Sequence, residues 1–367
     1  MRTPAFVPGL KLSARFYREL VGPILEARFA GLSYAAALIG GGSEVLGFDD
    51  VVSSDHDWGP RLLLFLQDAD HSRLAGAIHD TLARWLPYEF LGYPTNFTEP
   101  DPTDNGTQLL AEVDNGPINH RVEIWTVQGY FLHHLNFDLQ QQLHPADWLS
   151  FSDQRLLEVT AGAIYHDAVG LAAALARFAT YPNDLWLYLM AADWHRIGQE
   201  EHLMGRAGSV GDEIGSALIG ARLVRSLMHL CFLMERVYAP YPKWFGTAFG
   251  RLACGPALAP QLQAALAAEN WQARESHLVR AYKIVAQLHN ALGVTRLMPE
   301  DATHFFGRPF KVMALHGFSH ELLAAIHDPE VQRIARLPLI GSLDQFSDST
   351  DLLSDSAWRP LVRRLYG

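Results

Sequence analysis

Cysteine is nearly absent: Cys231 and Cys254 are the only two in 367 residues, too few for a disulfide framework or a cysteine-based zinc site. Basic residues are in deficit as well. Against 40 Asp and Glu stand 29 Lys and Arg, a formal net charge of −11, which argues against a protein that coats nucleic acid through phosphate contacts. No stretch approaches the ~20 consecutive apolar residues of a membrane span. The N-terminal "MRTPAFVPGLKLSARFYREL" is interrupted by charge too early for a signal peptide. The expected compartment is therefore the cytoplasm, with no membrane partner. Hydrophobic residues at 49% and charged ones at 19% describe a folded chain rather than a disordered one, long enough for two domains.

What is there divides near residue 150. Residues 11–29 carry apolar and charged positions at helical spacing, and 71–87 has the same period. "RLLLFL" (61–66) and "RVEIWTV" (121–127) read as strands, and "GYPTNFTEPDPTDNGTQ" (92–108) as loop. "LSYAAALIGGGSE" is a short apolar run, strand or helix, that enters a glycine turn. From about residue 152, alanine, leucine and helical spacing dominate. Asn183 or Asp184 is expected to cap one helix, and Asp328, followed by Pro329, another. The spacing predicts a mixed α/β domain over 1–150 and a helical domain over 151–367.

One constellation carries chemistry. Gly42-Ser43 is followed, after eleven intervening residues, by Asp55 and then Asp57. Glycine lets backbone N–H groups approach a ligand, and with a serine hydroxyl they can bind phosphate oxygens. Acids at i and i+2 share one side of an extended strand and offer Mg²⁺ the hard oxygen ligands it shares with substrate phosphates. Glu123 is the natural third acid, since Val122 and Ile124 would face the core while it faces the cleft. Glu112 and Asp114 lie in a turn-like stretch, and Asp49-Asp50 reads as solvated loop. Arg61, just after the Trp58-Gly59-Pro60 break, has two readings, a phosphate contact or a salt bridge at a strand start.

This order of Gly-Ser, Asp-x-Asp and a later strand acid resembles the nucleotidyltransferase fold of the DNA polymerase β-like superfamily. Within it, the string "GSEVLGFDDVVSSDHDWGPR" resembles aminoglycoside and lincosamide nucleotidyltransferases and, above all, an uncharacterised bacterial group related to them. The resemblance implies an α+β N-terminal domain, a mixed sheet with flanking helices, followed by an all-α helical bundle that closes the cleft. It implies transfer of a nucleoside monophosphate from a Mg²⁺-bound NTP, ATP by family analogy, to an acceptor hydroxyl. Gly42 and Ser43 would hold the triphosphate, and Asp55, Asp57 and Glu123 would bind metal, with Glu123 the alternative general base. Related helical domains use a lysine on the triphosphate, which here is Lys243 of "YAPYPKWFG".

In the helical half, Leu223, Leu227, Leu230, Met234 and Val237 form an apolar stripe that reads as core. Beside it run Arg222, Arg225, His229, Phe232 and Arg236, either a cationic flank over the triphosphate, with Arg222 its leading contact, or an inter-helix salt-bridged face. The 17 histidines lack the zinc-hydrolase spacing and read as structural or surface; Asp193 and His195 are the pair that would line an acceptor pocket. The expected acceptor is a small hydroxylated, cationic molecule, which an acidic cleft would steer in. Two other readings stand beside this one: a protein-modifying adenylyltransferase of antitoxin type, and a non-catalytic nucleotide-binding module. The second is motivated by His56 between the aspartates and by Trp58-Gly59-Pro60.

Overall fold

The computed structural model describes residues 6–54 and 56–367; Asp55 lies outside them. The protein is α+β and contains two compact units, Met1–Gln142 with Arg155–Ala179, and Leu143–Gln154 with Thr180–Gly367. The position expected to separate the domains, near 150, falls within the short segment that the second unit takes from the first half of the chain.

The first unit opens with α1 (Gly9–Phe16), which passes through a π-helical turn at Tyr17–Val21 into α2 (Gly22–Arg28). Pro23 gives the reason: without an N–H it makes no bond to the carbonyl of Glu19, and its ring would crowd that carbonyl in a regular α-helix. β1 (Tyr34–Leu38) and β2 (Arg61–Leu66) follow, then α3 (Asp68–Trp85), the small ribbon of β3 (Glu89–Phe90) and β4 (Tyr93–Pro94), β5 (Arg121–Thr126) and α4 (Val127–Leu135). After α5 (Pro145–Ser150) in the second unit, the chain returns through α6 (Asp153–Thr160) to β6 (Ala163–Asp167) and α7 (Leu171–Ala176).

The sheet runs β5-β2-β1-β6, with β2 and β5 parallel and β1 antiparallel to both its neighbours. β1 is almost all alanine, a poor strand former. It is nevertheless a strand because all five residues are buried between two partners, so tertiary pairing overrides local preference. One sheet face, with Tyr34, Ala36, Leu62, Leu64, Leu66 and Val122, packs on Leu12, Phe16, Leu25, Ile78 and Leu82 of α1–α3. The other carries Ala35, Ala37, Leu63, Phe65, Glu123 and Trp125, with Phe65 against Tyr130 of α4 at 5.4 Å. β6 departs from the helical reading of residues beyond 152. It is a short, half-exposed strand ending in His166-Asp167, and it lacks the alternation that marks a strand in sequence.

The second unit is built on α8 (Asn183–Ser209) and α9 (Glu213–Met234), joined by α10 (Pro242–Phe249), α11 (Gly255–Leu266), α12 (Trp271–Ala291), α13 (Phe318–Ala324), α14 (Pro329–Ala335) and α15 (Leu343–Phe346). Asp328 caps α14 through the N–H groups of Glu330 and Val331. Pro182, not Asn183 or Asp184, precedes α8, and Asp184 instead accepts from the backbone of His327 at 2.6 Å and Asp328 at 2.5 Å. Among the described residues, one helix, α9, is long and apolar enough to cross a membrane, and 61% of its most apolar window is buried inside the protein. It carries four of the five residues of the expected stripe, Leu223, Leu227, Leu230 and Met234, all buried, whereas Val237 lies beyond the end of the helix and is exposed.

Candidate functional site

Antiparallel pairing of β1 with β2 sets the loop after β1 beside the loop before β2. Parallel pairing of β2 with β5 brings the start of β5 to the same end of the sheet. The register places Arg61 opposite Arg121 and Leu63 opposite Glu123. Arg61, Arg121 and Glu123 therefore share the face away from the main core, as the reading of Glu123 against Val122 and Ile124 required.

β1 runs out into Gly40-Gly41-Gly42-Ser43. Gly40 has φ +99° and Gly42 +135°, conformations that glycine adopts without the cost a side chain would bring. Space is tight as well. A Cβ on Gly42 would sit 2.5 Å from Glu44 Oε2, and one on Gly40 would sit 3.1 Å from Tyr130 Oη. The Gly40 N–H donates to the Glu158 carbonyl at 2.8 Å, and the Phe48 N–H to the carbonyl of half-buried Ser43, also at 2.8 Å.

Asp57 sits in the left-handed region, φ +49°. Its N–H donates to the Gln108 carbonyl at 2.9 Å, Arg61 Nη1 donates to its carbonyl, and Arg121 Nη1 donates to its carboxylate. Glu123 accepts from Trp125 Nε1 on Oε2 at 3.1 Å, while its Oε1 lies 3.9 Å from Arg121 Nη2. One guanidinium thus stands between two carboxylates that are 39% and 42% exposed, open enough to meet a ligand. Arg61 takes the salt-bridge reading, pairing with Glu44 at 3.0 Å. Burial raises the Glu44 carboxyl above its ordinary range, and the charge of Arg61 opposes that rise.

Behind the glycine loop, Tyr130 Oη and His134 Nδ1 are buried without a hydrogen-bond partner, their rings 4.1 Å apart. Burial, then the charges of Glu158 and Glu123, push the Tyr130 phenol far up. Burial, then His133 and Arg155, push His134 down to about 3, so it is neutral at physiological pH. Orphaned buried polar atoms are rare and mark places where water or a ligand completes the bonding.

Among the described residues, no three His, Cys, Asp or Glu side chains gather into a metal-holding group. Asp57 and Glu123 supply two converging carboxylates. Asp55, expected as another ligand, lies outside the described residues. Hard carboxylate oxygens suit Mg²⁺, so the donor chemistry fits that ion. Asp49 is not free loop: it accepts from Gly9 N–H at 2.6 Å and Trp58 Nε1 at 3.1 Å.

Three participants escaped the sequence reading. Arg121 was within reach, two residues before Glu123 and so on its face of the strand; Glu44 directly follows Ser43. Glu158, paired with Arg155 at 2.7 Å, had no local signal, since it arrives from α6.

In the second unit, Arg222 pairs with Glu200 at 3.0 Å and Lys243 lies 5.1 Å from the Trp244 ring. The basic flank of α9 is mostly inter-helix bonding. His229 Nδ1 is 2.7 Å from Asp193, its Nε2 is 3.3 Å from Asp153 without hydrogen-bond geometry, and Arg236 lies over Trp186 at 3.7 Å. Asp193 is thus a buried partner of His229. His195 lines a cavity of about 230 Å³ with Trp194, Gln199, Met313 and Phe318.

Residues 148–245 match a family model described as a domain of unknown function (DUF4037). The match takes in Asp153, Glu158, Asp193 and His229 and leaves out the glycine loop, Asp57 and Glu123. No curated protein and no solved structure matches the chain.

Proposed function

We propose that the protein is a Mg²⁺-dependent nucleotidyltransferase of the polymerase β-like type, moving a nucleoside monophosphate, AMP by resemblance, from an NTP to a hydroxyl of a small acceptor. One observation carries the reading: a positive-φ glycine loop and two half-exposed carboxylates, Asp57 and Glu123, meet at one end of a mixed sheet. Backbone N–H groups of Gly41–Ser43 and the Ser43 hydroxyl receive the phosphate oxygens, and Arg121 offsets their charge. Asp57 and Glu123, with Asp55, would hold Mg²⁺, which supplies Lewis-acid neutralisation of the phosphates. Glu123 Oε2 is engaged by Trp125, which leaves Oε1 to take the acceptor's proton. The acceptor oxygen bonds to the α-phosphorus as the bond to pyrophosphate breaks.

Abundant carboxylates and a net charge of −11 favour a cationic acceptor. Two free, buried cysteines suit a reducing compartment such as the cytoplasm. The ion pairing of Asp57 with Arg121 favours the second reading, nucleotide binding without transfer.

Calorimetric titration with each NTP in Mg²⁺, paired with a pyrophosphate-release assay, tests both. Selective binding by wild type that is lost in Asp57→Ala/Glu123→Ala, with pyrophosphate release, is the expected result. Binding without release under a broad acceptor screen establishes the second reading, and absence of binding to all four NTPs overturns both.

A further inference from the structure

We infer that Arg121 is an exchangeable counter-ion, which neutralises the two carboxylates until a metal–nucleotide arrives and then moves to the phosphates. This rests on the transferase reading and goes beyond it, by giving one residue opposed effects on the two ligands.

Arg121 is only 16% exposed, lies 5.8 Å from the Phe97 ring, and reaches Asp57 with one terminal nitrogen and Glu123 with the other. Two carboxylates at one end of the sheet, Asp57 in the loop before β2 and Glu123 on β5, repel each other, and the guanidinium between them offsets that repulsion. A divalent ion that binds the same oxygens has to displace it. The displaced fork then needs a partner of matching geometry. A phosphate group provides one, since guanidinium pairs with phosphate and carboxylate through the same planar, two-pronged hydrogen bonding. Arg61, its in-register neighbour, is placed differently. Its hydrogen bonds run to Glu44 and to the backbone carbonyls of Asp57 and Gly41, so it braces the loop, while Arg121 bridges the candidate ligands. Arg121 therefore opposes binding of metal alone and favours binding of triphosphate.

The test separates the two ligands. Mn²⁺ binding without nucleotide is measured by electron paramagnetic resonance, and ATP binding in EDTA by calorimetry, for wild type, Arg121→Gln and Arg121→Lys, each checked for cooperative melting. Arg121→Gln is expected to bind Mn²⁺ about tenfold more tightly and metal-free ATP about tenfold more weakly, each the equivalent of one good charge-assisted contact. Arg121→Lys keeps the charge without the fork. It is expected to hold Mn²⁺ affinity near wild type while losing ATP affinity, and it carries the test should the glutamine variant not fold. Movement of both affinities in one direction, or of neither, overturns the inference and leaves the transferase reading standing. A folded wild type that binds neither Mn²⁺ nor ATP overturns both.

Discussion

At the scale of single residues, the site depends on positions whose backbone conformation favours glycine. Gly42 combines φ +135° with a missing Cβ that would lie 2.5 Å from Glu44 Oε2, and Glu44 is pinned by Arg61. Gly42→Ala is therefore expected to lose about 1–3 kcal/mol through backbone strain and to abolish nucleotide binding by displacing the loop. Gly76 is the internal control. It is exposed on α3 with open space where its Cβ would go, so Gly76→Ala is expected to gain about 0.5–1 kcal/mol with nucleotide binding unchanged. Denaturant midpoints and nucleotide titrations on the two variants check this. Equal stability of Gly42→Ala and wild type would show that the loop relaxes freely and is not a built cradle.

At the scale of elements, the buried charges of the second unit fasten together segments distant in sequence. His229 on α9 meets Asp193 on α8 and Asp153 at the start of α6. Asp153 also accepts from Tyr181 Oη at 2.6 Å, and its N–H donates to Asp344 on α15 at 2.9 Å. Burial alone would depress His229, but the charges of Asp193 and Asp153 outweigh it and raise the group to about 10. Burial, reinforced by Asp153, raises Asp344 to about 7. Both folded values exceed the unfolded ones, about 6.5 for His and 3.9 for Asp. Stabilisation by Asp344 is thus full below about pH 3.9 and lost as pH rises through 7, and that by His229 is full below about 6.5 and lost through 10. Melting temperature is expected to fall from pH 5.5 to pH 9.5, with His229→Gln flattening the upper part of the fall; a profile that rises across this range would contradict the assignment. Removing one partner, as in Asp193→Ala, is expected to cost about 3–5 kcal/mol. Little of this network was readable in advance. The spacing of Arg222, Arg225, His229 and Arg236 marked a flank of α9, but its partners come from up to 119 residues away, as with Arg225 and the Asp344 carbonyl. Strands β2 and β5 and helix α3 were legible because each carries its own period and turn signals. β1 and β6 were not, because alanine in one and half-exposed polar residues in the other become strands only through their neighbours.

At the scale of the whole molecule, the chain interleaves its two units. The second unit takes Leu143–Gln154 before the first is complete, and Arg155–Ala179 then returns to finish the first. That returning segment supplies β6, which pairs with Ala35–Leu38 of β1, and Phe178, stacked on Phe131 at 5.0 Å. It also supplies the Glu158 carbonyl that receives the Gly40 N–H. A fragment ending at residue 150 leaves β1 with an open, apolar edge, which invites edge-to-edge association, and leaves the glycine loop without that anchor. It is expected to aggregate and to show no cooperative melt. A second fragment, 1–179 with a short Gly/Ser linker in place of 143–154, restores the edge and the loop contact and is expected to melt cooperatively. Circular dichroism and size-exclusion chromatography decide between them, and a 1–150 fragment that melts cooperatively as a monomer would show that β6 is dispensable. Nucleotide titration of the linked fragment then assigns the site. Retained binding means that the glycine loop, Asp57, Arg121 and Glu123 suffice, whereas a folded fragment that binds nothing, beside a full chain that binds, means that they do not.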